Sequence, residues 1–298
     1  MCGIGGYINK NENVEHKEEI LKKILIGQSD RGTVSCGIAW YNVLENKEYM
    51  NTNKQLIEPA KFELSDINIK SKIAIAHNRM PSIGDISLKN THPFNTCDNK
   101  ISLVHNGSSS SMNSVRYVLK LHGHKISGDT DSEVMVHVFE DIYNNIEDYD
   151  EAVKTFKDYL TNDVSSSYTI LLMHMNDTIH MLTDNEDAVF GYNDDEIIIG
   201  SEYNAIKTVF KNTNYTVIKP TTEAIIKFKH NNTIKWLDGK PEETIHYDWK
   251  QPNKARFKEP KIEVLYNFKY PHRDYLLDEF EYIKHAKGKE KDFYEWTL

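Results

Sequence analysis

The sequence predicts an α+β fold of antiparallel sheets covered by helices. Three observations carry this: strand-like segments open the chain, helix-like segments fill its middle and strands return afterwards; most neighbouring strands are joined by hairpin-length connections; and the helical segments are apolar on one face at three-to-four spacing. Residues 2–8 read as a short buried strand. An amphipathic helix follows over roughly 17–27, with Ile20, Leu21, Ile24 and Leu25 on one stripe and Gly27 as its C-cap. Arg31-Gly32 leads into a strand over 37–43, hairpinned with 48–51. The next strand, 72–77, ends in a loop rich in Gly, Pro, Ser and Asn that runs to Asn99. Strand 101–105 is expected to be terminated by Asn106-Gly107.

Helices are expected at 111–122, 131–146 and 150–161, the second with Val134, Val138, Ile142 and Ile146 on one face. Strands return at 167–174, 178–183, 188–192, 195–200, 215–218, 223–229 and 233–237, interrupted by one short helix at 202–210. Near Gly239 the character changes. Residues 1–239 are expected to form one domain, and residues 240–298, rich in proline, aromatics and mixed charge, an arm or docking tail with one helix over 275–287.

With 298 residues, 39% hydrophobic and 27% charged, the chain has the composition of a soluble folded protein. Its net charge of -9 argues against a nucleic-acid-binding surface, because phosphate contacts need clustered Lys and Arg. No apolar run approaches a membrane span and no signal-peptide pattern opens the chain, so a cytoplasmic location is expected. Cys2, Cys36 and Cys97 match neither a disulfide framework nor the paired spacing of a zinc site. Cys36 reads as a small core hydrophobe and Cys97 as an incidental loop thiol. Neither metal nor cofactor is expected.

Cys2 directly follows Met1. If the methionine is trimmed, one residue carries a thiol and a free α-amine, a nucleophile beside its own base; an α-amino group titrates near pH ~8 and is partly unprotonated near neutrality. This is the chemistry of N-terminal-nucleophile amide hydrolases. Such an enzyme also needs donors for the oxyanion and groups that hold the substrate. Asn106-Gly107 offers a side-chain amide and a backbone N–H, though Asn-Gly is also the commonest tight-turn dipeptide. Arg79, after strand 72–77, can pair bidentately with an α-carboxylate or lie on the surface. Asp129 or Asp131 can cap a helix; in a cleft, one of them would bind a substrate ammonium. Arginine and aspartate together would read the amino-acid head of glutamine and leave its amide at the sulfur.

In order and spacing, Met1-Cys2-Gly3-Ile4, Arg31-Gly32 with 35–37, Ala76-His77-Asn78-Arg79, Asn90-Thr91-His92-Pro93-Phe94, Val104-His105-Asn106-Gly107, Asp129-Thr130-Asp131-Ser132-Glu133 and Gly200-Ser201-Glu202 resemble the class II glutamine amidotransferases, across roughly residues 2–210. The resemblance implies a four-layer αββα sandwich with Cys2 on a central strand. It implies Cys2 as nucleophile, Asn106 and Gly107 as oxyanion hole, Arg79 for the substrate carboxylate and Asp131 for its amine. Ser82 falls where the family often has a substrate-contacting hydroxyl, and Arg31 and His105 are supporting residues. The chain departs from the family pattern at Val34, where an acidic residue is usual, at Met80, where an aromatic is usual, and in Ser108-Ser109-Ser110-Ser111, which lacks the usual Asn. The implied activity is glutamine hydrolysis that supplies ammonia to a separate synthetase. A free-standing hydrolase of γ-glutamyl amides and a non-catalytic interaction module on the same scaffold are the alternatives.

Overall fold

Strand β1 (Gly3–Asn9) lies at the middle of an eight-stranded sheet and is buried along its whole length. Its glycines allow this: at Gly5 a Cβ would stand 2.4 Å from the Ile24 side chain, so the helix above can approach only a bare backbone. The computed structural model describes residues 1–250 other than 11–16, 45–46, 66, 110, 147, 165–166, 232 and 249.

The remaining strands of this sheet are β2 (Ser35–Leu44), β3 (Lys47–Gln55), β4 (Ile73–Arg79), β9 (Val189–Tyr192), β10 (Glu196–Gly200), β11 (Tyr215–Pro220) and β14 (Pro241–Tyr247), in the order β14-β11-β9-β10-β1-β4-β2-β3. A second sheet runs β13-β12-β8-β7-β6-β5, built from β5 (Phe94–Asn95), β6 (Ile101–Ser108), β7 (Ser167–His174), β8 (Thr178–Asp184), β12 (Glu223–Lys229) and β13 (Thr233–Asp238). Every strand pairing in both sheets is antiparallel.

The facing sides of the sheets form one apolar layer that includes Ile4, Ile8, Ile75, Val104, Leu171, Met181, Phe190, Ile199 and Phe228. Truncating such a residue to alanine costs about 2–5 kcal/mol, because the cavity cannot fully close. On the outer side of the first sheet, Leu21, Ile24 and Leu25 of α1 (Lys17–Ile26) and Ala205 and Ile206 of α5 (Tyr203–Val209) join a second cluster with Tyr7, Ile38 and Ile198. Helices α2 (Met112–Leu121), α3 (Asp131–Asn145) and α4 (Tyr149–Tyr159) cover the other sheet. The layers are therefore αββα, as expected.

Local chemistry explains the helix starts. Thr130 accepts from the Glu133 N–H at 3.4 Å and Asp148 from the Glu151 N–H at 3.0 Å, each satisfying a donor that the first turn leaves open. The segment expected as loop up to Asn99 holds the short strand β5, which pairs with β6 at Phe94↔Leu103 and Asn95↔Ser102, and two boundaries differ from expectation. Strand β6 does not stop at Asn106-Gly107 but carries both residues in register, opposite Thr169 and Tyr168 of β7. The first sheet also continues past Gly239, because β14 pairs with β11 from Tyr215↔Tyr247 to Pro220↔Pro241. The helix expected over 275–287 lies outside the described residues.

Candidate active site

The start of β1 meets the end of β6. Here the Cys2 N–H donates to Asn106 Oδ1 at 2.8 Å, across 104 positions of sequence. The other end of the Asn106 amide donates through Nδ2 to Glu186 Oε2 at 3.2 Å. The side chain is thus oriented from both ends, and an NH2 group still has a second hydrogen to offer. Cys2 Sγ lies 3.4 Å from both the Met80 N–H and the Met80 carbonyl. Burial pushes the Cys2 thiol above its ordinary pKa; the Met80 N–H, the chain-terminal charge and Arg79 pull it down by less. Near neutrality the sulfur is therefore a thiol that needs a base to remove its proton.

Arg31 fixes the nucleophile segment. Its Nε donates to the Cys2 carbonyl at 2.9 Å, while its terminal nitrogens lie 3.4 Å from Glu202 and 3.9 Å from Glu186. The guanidinium is buried, and both carboxylates offset the desolvation of its charge. Ser201, one residue before Glu202, accepts from the Ile4 N–H at 3.0 Å and donates its own N–H to Gln28 Oε1 at 2.8 Å. Gly200-Ser201-Glu202 thereby clamps the first residues of β1 from the side.

Gly107 has φ +143, a conformation rarely open to residues with a Cβ, and a Cβ there would stand 2.3 Å from the Ser167 carbonyl and 2.7 Å from His105 Nε2. His105 lies beneath it, with Nδ1 2.9 Å from Ser132 Oγ. Its carbonyl is 3.1 Å from His77 Nε2, and the His77 ring stacks on His92 at 3.9 Å. Burial holds all three imidazoles below the ordinary histidine pKa, His77 at about 3, so this support is neutral.

Arg79 is buried at the end of β4 with its guanidinium on the loop that follows, donating to the Ile83 and Asp85 carbonyls at 2.8 Å each. Ser82 is exposed on that same loop. Asn90 ties the loop to the start of α3: its Nδ2 donates to Asp85 and its Oδ1 accepts from the Asp129 N–H at 2.7 Å. Asp131, in the first turn of α3, accepts from the Ser109 N–H at 2.6 Å and the Ser132 N–H at 2.8 Å. It therefore orders the segment just after Gly107. Asp129 instead points outward to Lys89 at 2.7 Å.

Cys2, Asn106, Gly107, Arg31 and His105 form one contiguous cluster, joined to Arg79 through the adjacent Met80 backbone. Asp131 reaches it through Ser109, and Ser82 lies at its exposed edge. Sequence reasoning missed Glu186 and the Met80 backbone, since neither belongs to a local pattern. It also missed Gln28, which no nearby residue marks. Of the other thiols, Cys36 is fully buried in the α1-facing core, as expected, with its pKa raised by burial to about 12. Cys97, read as an incidental loop thiol, stands beside His124 and His137.

Two antiparallel sheets between helix layers, with Cys2 just before a central buried strand and its nitrogen held by an oriented carboxamide, are the arrangement of the N-terminal-nucleophile fold. The family model of class II glutamine amidotransferases matches residues 26–212, and the chain belongs to that family. The family bears out the expected function class, a domain that hydrolyses the glutamine amide. Among relatives, the isomerizing glutamine–fructose-6-phosphate aminotransferase of Bacillus licheniformis is 33% identical over 242 residues, covering 80% of this chain and 38% of that one. Its counterpart in Methanococcus maripaludis is 32% identical over 213 residues, covering 69% and 34%. The chain thus spans little more than a third of these relatives' length. Among solved structures, the glutamine phosphoribosylpyrophosphate amidotransferase of B. subtilis, complexed with ADP and GMP, shares the fold with a TM-score of 0.56 at 18% identity, covering 78% of this chain and 50% of that one. Among the described residues, no helix is long and apolar enough to cross a membrane.

Proposed function

We propose that this chain hydrolyses glutamine to glutamate and ammonia through a thioester on Cys2, with the Cys2 α-amine, freed by removal of Met1, as the base. The observation that carries the reading is the 2.8 Å contact between the Cys2 nitrogen and Asn106 Oδ1. In the structure this nitrogen is a peptide amide bearing Met1. As an amine it keeps the same acceptor and is held beside the sulfur it must deprotonate.

The amine takes the thiol proton as sulfur attacks the amide carbon. The negative charge then develops on the former carbonyl oxygen, for which the free hydrogen of Asn106 Nδ2 and the Gly107 N–H are the proposed donors. Collapse of the intermediate breaks the C–N bond; the protonated amine returns its proton to the departing nitrogen, and ammonia leaves. Water, deprotonated by the same amine, then cleaves the thioester to release glutamate. Arg79 is proposed to take the substrate α-carboxylate and Asp131 the α-ammonium, with Ser82 as a hydroxyl at the edge; binding would require the Arg79 guanidinium to exchange a loop carbonyl for the carboxylate. Arg31 and His105 are positioning residues, one holding the Cys2 carbonyl and the other supporting Gly107. The ammonia is proposed to serve a synthase on a separate polypeptide. A cytoplasmic setting fits this chemistry, since a reduced thiol is required.

The test combines intact-mass spectrometry with diazo-oxo-norleucine, a glutamine-like electrophile. The expected result is a polypeptide lacking Met1 that gains one adduct, mapped to Cys2 and suppressed by excess glutamine. Turnover by a chain that retains Met1, or an adduct on Cys36 or Cys97 instead, overturns the reading.

A further inference from the structure

Four side chains with metal-ligand chemistry converge outside the site described above. Cys97 sits in the tight turn between β5 and β6, His124 just after α2, and His137 and Glu140 one turn apart on α3. One ligand atom from each lies within 4.8 Å of all the others. Cys97 Sγ is 3.6 Å from His124 Nδ1 and 3.7 Å from His137 Nδ1. Both imidazole Nδ1 atoms approach the same carboxylate oxygen, Glu140 Oε2, at 3.0 Å and 2.9 Å.

Hydrogen bonding alone leaves this arrangement short of protons. His124 Nε2 is 2.6 Å from Asp141 Oδ1, so Nε2 carries a hydrogen. In a neutral imidazole Nδ1 is then a bare lone pair, facing the lone pairs of Glu140. A second proton on this imidazole, a proton on the Glu140 carboxyl or a cation between the two groups makes the contact attractive. The distances suit a cation. A tetrahedral Zn2+ with sulfur at about 2.3 Å and nitrogen at about 2.0–2.1 Å sets S···N edges of about 3.5–3.6 Å, which the cluster already shows; the nitrogen–oxygen edges need only open by roughly 0.4 Å.

The surroundings are those of a metal site as well. Asp141 on His124 Nε2 is the carboxylate partner that fixes the tautomer of a ligating histidine. The second oxygen of Glu140 is held by the Cys97 N–H at 2.8 Å, and the Lys125 N–H donates to Cys97 Sγ at 3.5 Å, as suits a thiolate. His124, His137 and Glu140 are nearly closed off from solvent while the Cys97 residue is exposed, which gives an ion a way in. One thiolate, two imidazoles and one carboxylate select Zn2+ over hard cations, and four protein ligands leave no open position for catalysis.

We propose that Cys97, His124, His137 and Glu140 bind one structural Zn2+ ion that staples the β5–β6 turn and the α2–α3 connection onto α3. The ion joins three chain segments through the helix whose first turn carries Asp131, and so braces the layer that backs β6. The site stands apart from the glutaminase reading, because its test needs no turnover.

The full-length chain, purified without chelator, should contain about one zinc per polypeptide by elemental analysis. After chelation, adding Co2+ should produce the visible bands of a tetrahedral site and a thiolate-to-cobalt charge-transfer band. That band should persist in Cys2→Ala and vanish in Cys97→Ser, and Zn2+ should displace it. Asp141→Asn should weaken Zn2+ binding by about 10–100-fold, the range for loss of a partner behind a ligand, and His137→Gln by more. If the wild-type chain takes up neither ion stoichiometrically, or if the charge-transfer band follows Cys2 rather than Cys97, the proposal fails and the cluster is a hydrogen-bonded imidazolium–carboxylate network.

Discussion

Two thiols in this molecule receive opposite treatment. Cys2 is offered a backbone N–H, a backbone carbonyl and a carboxamide, with no imidazole among its contacts. Cys97 stands between two imidazoles and below a carboxylate. If histidine were the mark of a reactive cysteine, Cys97 would be the nucleophile. The histidines nearest Cys2 instead face the protein interior, neutral and structural. A nucleophile that brings its own base needs shape and oxyanion donors around it, whereas a thiol surrounded by other ligand atoms has the surroundings of a metal site. Residue type alone does not separate these cases.

The comparison breaks most readily at the sulfurs themselves. Cys2→Ala is expected to remove glutamine turnover, by at least about 10^4-fold given how completely covalent catalysis depends on its nucleophile, while Cys97→Ser keeps turnover at moderate temperature and loses thermal stability. Steady-state ammonia release and a melting curve on both variants decide it, and an active Cys2→Ala enzyme would undo the assignment. A smaller effect is expected at Asn106→Ala, about 10^2–10^3-fold in kcat, the cost of one oxyanion donor. A rise in KM with kcat unchanged would mean that Asn106 binds substrate rather than the transition state.

Measured over a single pH unit, the smallest effect tests the neutral histidines. Their pKa values are lowered by folding, so below about pH 6.5 the unfolded chain binds protons that the folded chain refuses, and stability falls as the pH drops. For His77 this window runs from about 6.5 down to its folded value of about 3, with a slope of about 1.4 kcal/mol per pH unit. Urea unfolding at stepped pH should show the loss, and His77→Gln should flatten it. An unchanged slope in that variant would mean that His77 is not held neutral.

Much of this was legible in the chain. Period-two and three-to-four apolar spacing located the helices and nearly every strand, because both sheets and the helices over them bury one repeating face. Cys2, Arg79, Asn106, Gly107 and Asp131 were marked by ordered motifs. Strand β14 was missed because Pro241-Glu-Glu-Thr has no alternating apolar pattern, and it pairs at the edge of its sheet, where one side needs no partner. Asn106-Gly107 was expected to end a strand, since local chemistry favours a turn; the β7 ladder outweighs that preference.

The sequence by itself determined an α+β fold of antiparallel sheets covered by helices, which is written in local periodicity, and, through short ordered motifs, the family resemblance that implied the αββα layering and the residues proposed for attack and substrate binding. Tertiary structure alone decided that Glu186 orients the Asn106 amide, that the Met80 backbone brackets the sulfur and that Cys97 meets His124, His137 and Glu140. The reason is physical. A backbone pattern repeats along the chain and can be read along it, whereas a contact between side chains many residues apart exists only after the strands have paired and the helices have packed.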